Sequence, residues 1–184
     1  MYTVVTGAAG FIGANLVKGL NARGDTAIIA VDNLARADKF RNLVDCEIAD
    51  FVDKDEFLAR LFEGDFDDDI GAVLHQGACS DTMESDGRYM MRNNYRYSVS
   101  LLEWCQNNDV PFLYASSASV YGMAETFPTP ERHHHHNNDT FYGAAKSFNE
   151  AMARSFRSMS GLDYVLLRYF NVYGPRMDVH GLYT

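Results

Sequence analysis

The stretch VVTGAAGFIGANL, residues 4–16, decides the fold of this chain. Gly7, Gly10 and Gly13 stand three residues apart in it, after an apolar run and before an amphipathic one. A glycine-rich turn between a first strand and a first helix is typical of a phosphate cradle. There, successive glycines allow the tight turn, the approach of a pyrophosphate to the backbone and close helix–strand packing, and the helix N-terminus favours the anion. The stretch predicts a dinucleotide site, with a plain tight turn as the alternative.

An acidic residue at the end of the second predicted strand supports the dinucleotide interpretation. Asp32 follows the apolar run Thr26–Val31 and lies 19 residues after Gly13. A carboxylate at this place accepts hydrogen bonds from a ribose diol. Strand, glycine turn, helix, strand and acid together form a stronger signal than the glycines by themselves.

Apolar runs alternate with amphipathic segments along the whole chain, which predicts βαβ units and a parallel sheet with right-handed crossovers. The expected fold is α/β, a Rossmann-like doubly wound parallel sheet in a three-layer αβα arrangement. The predicted strands are Tyr2–Thr6, Thr26–Val31, Leu43–Ile48, Ala72–His75, Val110–Ser116 and Tyr164–Tyr169. The predicted helices are Phe11–Arg23, Asp53–Phe62, Tyr89–Asn107 and Tyr142–Met159.

Tyr142 and Lys146 share one face of a predicted helix because they are four residues apart. Removing a hydride from an alcohol carbon also requires the hydroxyl proton to leave, and a free tyrosine with a pKa of about 10 is a poor base. A neighbouring ammonium favours the phenolate, so the spacing indicates a catalytic pair. Ser117, in YASSASVYG, is predicted to bind the substrate hydroxyl and orient it for Tyr142, with strand-end turn chemistry as the alternative.

Composition and charge argue against several function classes. The net charge of −9 argues against nucleic-acid binding, which needs a basic surface. The sequence has no apolar run of roughly 18 residues, so we expect no membrane span. Three cysteines, far apart, indicate reduced thiols in a cytoplasmic protein. The run His133–His136 is predicted to be an exposed loop, with metal binding or an affinity tag as alternatives, and no metal is expected.

Several motifs occur in order along the chain: TGAAGFIG, Asp32, HQGA at 75–78, Asn93, SSASVYG, Tyr142 with Lys146, and RYFNVYGPR at 168–176. In this order they resemble the extended short-chain dehydrogenase/reductase family, which comprises nucleotide-sugar epimerases and dehydratases. The resemblance implies a nicotinamide dinucleotide cofactor, a nucleotide-sugar substrate and isomerase activity. It disfavours a dehydratase, because SSAS at 116–119 lacks the acidic pair that a dehydratase carries there.

About the first 115 residues are similar to the ADP-heptose 6-epimerase branch, which serves lipopolysaccharide biosynthesis and uses NADP, and the last third is closer to NAD-dependent 4-epimerases. The resemblance implies NADP, with NAD as the alternative. Lys39 and Lys54 suit a 2′-phosphate, whereas Asp32 repels it. Beside the three glycines, the resemblance places at the cofactor Phe11, Ile12, Asp32, Asn33, Lys39, Lys54, Gln76, Gly77, Ala78, Cys79, Ser80, Asn93 and Lys146.

The resemblance also bears on the substrate side. It implies that Asn171 contacts the substrate and that His180 stands where the branch has a second acid/base lysine. Since family members are longer, we expect residues 1–184 to be one NAD(P)-binding domain with the C-terminal substrate domain largely missing. Surface meant for that domain predicts a homo-oligomer. Three functions stay open: a heptose epimerase, a 4-epimerase, and a non-catalytic dinucleotide-binding module.

Overall fold

Six parallel strands form the central sheet of a computed structural model that describes residues 1–123, 126, 129–131 and 140–177. The strands are β1 Tyr2–Thr6, β2 Ile28–Asp32, β3 Asp50–Asp53, β4 Ile70–His75, β5 Phe112–Ser117 and β6 Tyr164–Tyr169. The helices are α1 Phe11–Ala22, α2 Lys54–Glu63, α3 Gly87–Met90, α4 Tyr97–Asn107 and α5 Phe141–Ser160, with short 3₁₀ helices at Ala37–Asn42 and Ala118–Tyr121. A π-helical segment, Met91–Arg96, joins α3 to α4.

The strand order is β3-β2-β1-β4-β5-β6, and every neighbouring pair is parallel. The order reverses between β1 and β4, because the chain leaves one half of the sheet after β3 and returns on the other side of β1. In open parallel sheets, ligands bind at the carboxyl ends of the strands beside such a reversal. The predicted Rossmann-like α/β fold is confirmed.

Successive residues of the strands pack on opposite faces of the sheet. Val4 contributes to the larger apolar cluster with Phe57 of α2, and the next residue, Val5, contributes to a second cluster with Val17 of α1. This alternation follows from the two-residue period of a strand. Because both faces are covered by helices, β1 and β2 consist mostly of apolar residues, as expected for a parallel sheet.

The third strand is not where the sequence predicted it. The run Leu43–Ile48 contains no strand, and β3 is instead Asp50–Asp53, paired with β2 from Ile29↔Asp50 to Asp32↔Asp53. Val52 is buried, while both end aspartates are exposed. Charged residues are suited to an edge strand, where one side of the backbone meets solvent, and they conceal its apolar pattern.

Local signals in the sequence set the ends of α5, the helix that carries Tyr142 and Lys146. Thr140 caps its first turn, since its Oγ1 accepts a hydrogen bond of 3.1 Å from the backbone N–H of Gly143. Gly161 ends the helix in the left-handed conformation, with φ +81°. The two candidate catalytic residues therefore lie in the first turns of a helix packed on β5 and β6.

Candidate active site

The glycine turn packs too tightly for side chains at two of its three glycines. Gly7 has φ +65°, and a Cβ there would lie 2.8 Å from Gly77 Cα, in the loop after β4. A Cβ on Gly13 would lie 2.1 Å from the Gly7 carbonyl oxygen. The turn therefore brings bare backbone and the first N–H groups of α1 to the strand-order reversal, which suits a pyrophosphate.

A cleft of about 470 Å³ opens between the glycine turn, the end of β2 and the loop after β4, and we call it the dinucleotide cleft. Of the residues predicted at the cofactor, it is lined by Gly7, Gly10, Phe11, Ile12, Gly13, Asp32, Asn33, Lys39, Lys54, Gln76, Gly77, Ala78, Ser80 and Asn93. Arg36, Tyr89 and Tyr97 also line it, although no sequence motif singled them out.

Asp32 is buried at the floor of this cleft, and its carboxylate is already bonded. Its Oδ2 accepts from the backbone N–H of Ala9 at 3.0 Å, and its Oδ1 accepts from the N–H of Asn33 at 2.8 Å. The Lys39 ammonium lies 2.7 Å from the same Oδ1. The pairing offsets the negative charge, so Asp32 repels an anion at the adenosine end less than a bare carboxylate would.

A second cation, Lys54, projects into the same cleft from the start of α2. Its Nζ donates to Asn93 Oδ1 at 2.6 Å and lies 5.9 Å from the ring centroid of Tyr97. The lysine is thus oriented by an amide and an aromatic ring, and it is partly exposed towards the cleft. Lys39 and Lys54 together give this cleft two cations within reach of a ligand phosphate.

Asn94, a neighbour of the predicted Asn93, holds the loop after β4. Its Oδ1 accepts from the Cys79 N–H at 2.7 Å, and its Nδ2 donates to the Cys79 carbonyl at 2.9 Å. Because Asn94 lies in the π-helical segment, its own carbonyl also accepts from Ser98 Oγ and from Asn149 Nδ2 of α5. Cys79, predicted at the cofactor, is therefore placed as a backbone anchor of the loop.

His75, at the end of β4, belongs to a buried chain of hydrogen bonds. Ser98 Oγ donates to the Asn94 carbonyl, so it accepts from His75 Nε2–H at 2.8 Å. His75 Nδ1 then accepts from Thr6 Oγ1 at 2.6 Å, and Thr6 accepts from the N–H of Gly77 at 3.1 Å. Because burial keeps the imidazole neutral, these partners assign its proton to Nε2.

We expect this histidine to make the protein less stable in mild acid. Burial, with a smaller contribution from Lys146, lowers the pKa of His75 from 6.5 to about 3. In the unfolded chain the imidazole binds a proton below pH 6.5, so its contribution to stability is complete above that pH and is lost as the pH falls towards 3. Urea unfolding between pH 7 and 5 should show a loss of up to ~1.4 kcal/mol per pH unit that His75→Gln lacks. Equal pH slopes for the two proteins would contradict a neutral buried His75.

A second cleft, of about 640 Å³, continues from the dinucleotide cleft at the ends of β5 and β6, and we call it the substrate cleft. The two clefts share Phe11, Ile12, Gln76, Ala78 and Ser80. The predicted Ser117, Tyr142, Lys146 and Asn171 all line the substrate cleft. Residues far apart in sequence, from three elements, are therefore brought to one edge of the sheet.

Lys146 and Tyr142 form a close pair on the wall of the substrate cleft. The Lys146 ammonium is buried, donates to the Ala115 carbonyl at 2.6 Å and lies 5.6 Å from the centroid of the Tyr142 ring. Burial lowers the pKa of Lys146 from 10.5 to about 7. Ser117 Oγ accepts from the Ser119 N–H at 3.1 Å, which leaves its own proton for a ligand in the cleft. All three groups line one cleft, and they are of the types that orient and deprotonate an alcohol.

Two polar atoms in the clefts have no hydrogen-bond partner among the described residues. They are Gln76 Nε2, where the two clefts meet, and Ser119 Oγ, in the substrate cleft. A buried polar atom without a partner is costly, so such atoms in a cleft indicate a ligand that supplies one. Together with the glycine turn, they fit an extended polar ligand such as a dinucleotide followed by a nucleotide sugar.

A buried carboxylate behind the substrate cleft, Glu150, was not singled out from the sequence. It accepts from Ser116 Oγ at 2.6 Å and from Arg168 at 2.9 and 2.7 Å, and Arg168 lies 4.7 Å from the Tyr121 ring centroid. Burial opposes the charge, but the hydrogen bonds from Arg168 and Ser116 hold the pKa of Glu150 below its usual value. This network ties α5 to the ends of β5 and β6.

Some predicted features are not part of the described structure. His180 and the run His133–His136 lie outside the described residues. Within the part of the chain that the structure describes, no group of three or more metal-binding side chains comes together. None of the described helices is both long enough and apolar enough to cross a membrane.

Comparison with known proteins relates the chain to sugar-nucleotide enzymes. The family model "NAD dependent epimerase/dehydratase family" matches residues 3–184. The ADP-L-glycero-D-manno-heptose-6-epimerase of Thiobacillus denitrificans is 57% identical over 180 residues, which are 98% of this chain and 54% of that protein. The chain spans about half the length of the curated relatives it matches.

Solved structures of 4-epimerases share the fold. UDP-glucose 4-epimerase from Thermotoga maritima, with UDP-glucose, matches with a TM-score of 0.85 and 34% identity, over 100% of this chain and 60% of that one. UDP-glucose 4-epimerase from Thermus thermophilus, in complex with NAD, matches with a TM-score of 0.77 and 32% identity, over 99% and 59%. Both resemblances predicted from the sequence, to heptose epimerases and to 4-epimerases, are confirmed.

Proposed function

The chain belongs to the NAD dependent epimerase/dehydratase family, and on that premise we propose that it is a nucleotide-sugar epimerase of the ADP-heptose 6-epimerase type. The observation that carries the proposal is the continuity of the two clefts, with Tyr142 and Lys146 on the wall just beyond the residues they share. A dinucleotide in the first cleft would extend its nicotinamide towards a sugar in the second. The second candidate is a 4-epimerase, favoured by the fold match to UDP-glucose 4-epimerase.

The residues of the substrate cleft divide the proton transfer between them. The nicotinamide, when bound, supplies the hydride acceptor and donor for a reversible oxidation of one sugar carbon. Ser117 Oγ orients the sugar hydroxyl, and the Tyr142 phenolate removes its proton and later returns it. In its protonated form, Lys146 favours the negative form of the phenol by Coulomb attraction, which is strong where water is excluded. With a nicotinamide bound, turning of the oxidised sugar in the substrate cleft would invert that carbon.

We propose NADP as the cofactor, with NAD as the alternative. Lys54 and Lys39 supply cations at the adenosine end of the dinucleotide cleft, beside Arg36. The Lys39–Asp32 pair, 2.7 Å apart, reduces the repulsion that Asp32 would exert on a 2′-phosphate. Apart from Cys79, the other candidate cofactor residues named above line the same cleft, and Lys146 reaches the nicotinamide end from the substrate cleft. NAD in the Thermus 4-epimerase supports the alternative.

The proposal extends to the organisation of the protein. Residues 1–184 form an NAD(P)-binding domain, while Ser117 and Asn171 make the part of the substrate site that belongs to it. His180 is proposed as a further acid/base group. Exposed apolar side chains on α5, Phe141 and Phe148, favour a homo-oligomer. We place the protein in the cytoplasm on its three free cysteines.

Native mass spectrometry of the purified chain, followed by incubation with ADP-heptose, tests this function. We expect a mass increment equal to NADP, more than one chain per particle, and inversion at C6 detected by chromatography of the product. The same sample should be incubated with UDP-glucose as the matched control, which a 4-epimerase converts and a heptose epimerase does not.

Each other result selects a different function. Conversion of UDP-glucose with NAD bound would replace the heptose epimerase by the 4-epimerase. Bound dinucleotide without conversion of either sugar would identify a non-catalytic dinucleotide-binding module. Absence of any dinucleotide, even after addition of NADP⁺ or NAD⁺ in excess, would contradict the proposal.

A further inference from the structure

The segment that follows the substrate-cleft residues after β6 returns to the first turns of α1. Phe170, Asn171 and Val172 line the substrate cleft, and the chain then continues to the N-terminal end of α1. There the Pro175 carbonyl accepts a hydrogen bond of 2.8 Å from Asn15 Nδ2 of α1. One short segment therefore touches both the sugar side and the dinucleotide side of the site.

Arg176 anchors the end of this segment. Its Nε donates to the carbonyl of Asn42 at 3.1 Å, and its guanidinium forms an ion pair with Asp45, which also pairs with Lys18. Only 17% of the arginine side chain is exposed. The hydrogen bonds of Arg176 and Lys18 lower the pKa of Asp45 to about 2.

The backbone of Arg176 is itself unusual. Its φ of +67° lies in the left-handed region, which a residue with a side chain rarely occupies. Such a conformation persists where the surroundings hold it. The side-chain bonds to Asn42 and Asp45 are interactions that hold it here.

Hydrogen bonds connect Asn42, a partner of Arg176, to residues of the dinucleotide cleft. Asn42 donates from Nδ2 to the Ala9 carbonyl in the glycine turn at 2.9 Å, and the N–H of Ala9 donates to Asp32. Asn42 also ends the 3₁₀ helix Ala37–Asn42, which carries Lys39. Arg176 therefore contacts the 3₁₀ helix that carries Lys39, the cation at the adenosine end of the cleft, through the Asn42 carbonyl.

We propose that Arg176 is a positioning residue for the dinucleotide, acting as a latch that fixes the glycine turn and the segment 37–45 relative to each other. The latch rests on the proposed function, since it assigns a role in retaining the cofactor. Because the same segment carries Asn171, the latch also aligns the two clefts. Arg176 touches neither ligand and acts through Asn42 and Asp45.

The test compares Arg176→Met, Asp45→Asn and a matched control, Arg23→Met, an exposed arginine at the far end of α1. Copurified nucleotide is removed, and calorimetry measures the dissociation constants of NADP⁺ and NAD⁺. We expect Arg176→Met to raise the constant of the preferred dinucleotide about tenfold, as for the loss of charge-assisted bonds. Asp45→Asn should raise it less, because the bond to Asn42 remains. Arg23→Met should leave it unchanged, and the three thermal midpoints should agree.

Hydrogen exchange separates failure of the latch from failure of the proposed function. In Arg176→Met without ligand, the amides of Gly10, Lys39 and Leu43 should exchange several-fold faster than in the wild type, while those of β4 and β5 stay unchanged. If the wild-type protein binds neither dinucleotide, the proposed function is contradicted. The hydrogen-exchange rates of Arg176→Met then test by themselves whether Arg176 fixes the glycine turn and the segment 37–45. Unchanged exchange, or unchanged dinucleotide affinity in a binding-competent protein, would overturn it.

Discussion

Phenylalanine in place of Tyr142 is expected to lower the rate of sugar inversion by a factor of about 10²–10⁴ while dinucleotide affinity stays within a few-fold of the wild type. The substitution removes only the hydroxyl that exchanges the proton with the sugar. The ring stays in place, so the cation–π contact with Lys146, 5.6 Å from the ring centroid, is kept. The measurement is product formation from ADP-heptose, or from UDP-glucose if that is the sugar converted, together with NADP⁺ titration.

Tyr173→Phe is the matched control, because Tyr173 is 88% exposed. This variant also loses a tyrosine hydroxyl, but one that takes no part in the proposed proton transfer, and it should keep full activity. Equal rates in Tyr142→Phe and wild type would remove Tyr142 from the mechanism. Loss of dinucleotide affinity in Tyr142→Phe would instead show that this residue acts in binding.

The second large effect is on stability. Arg168→Met leaves the carboxylate of Glu150 buried without its two bonds to the guanidinium, while the bonds from Ser116 at 2.6 Å and from Arg154 at 3.3 Å remain. We therefore expect the free energy of unfolding to fall by about 3 kcal/mol, the lower end of the cost of breaking a buried ion pair. Glu150 is fully buried and the Arg168 side chain only 13% exposed, so solvent cannot replace the lost contacts. Urea unfolding at pH 7 measures the change.

Two further variants separate the ion pair from general packing. The double variant Glu150→Gln with Arg168→Met also removes the buried negative charge that Arg168 no longer compensates, and it should recover most of the lost stability. Arg157→Met breaks an ion pair with Asp163 in which both side chains are more than half exposed, together with two bonds from Arg157 to the carbonyls of Gly161 and Leu162. Because water can replace these exposed contacts, the variant should cost about 1 kcal/mol. A loss in the double variant as large as in Arg168→Met would assign the effect to packing.

Sequence patterns that span only a few residues predicted local structure correctly. The glycines of residues 4–16 predict a turn, because tight backbone approach depends on the missing Cβ. The four-residue spacing of Tyr142 and Lys146 predicts a shared helix face. Together with alternating strands and helices, they predicted the fold and many of the residues that line the two clefts. The third strand was misplaced because β3 is a short edge strand with charged ends, which lacks a local apolar signal.

Contacts between distant segments were decided only by the tertiary structure. Glu150 resembles any surface glutamate of a helix until folding places Arg168 beside it and buries both. Asn94 becomes an anchor because a π-helical segment turns its amide onto Cys79 and its carbonyl towards α5. Arg176 meets Asp45 across 131 residues. The sequence determined which backbone conformations and helix faces are available. The burial and pairing of side chains depend on which distant segments come together, and the sheet topology decides this.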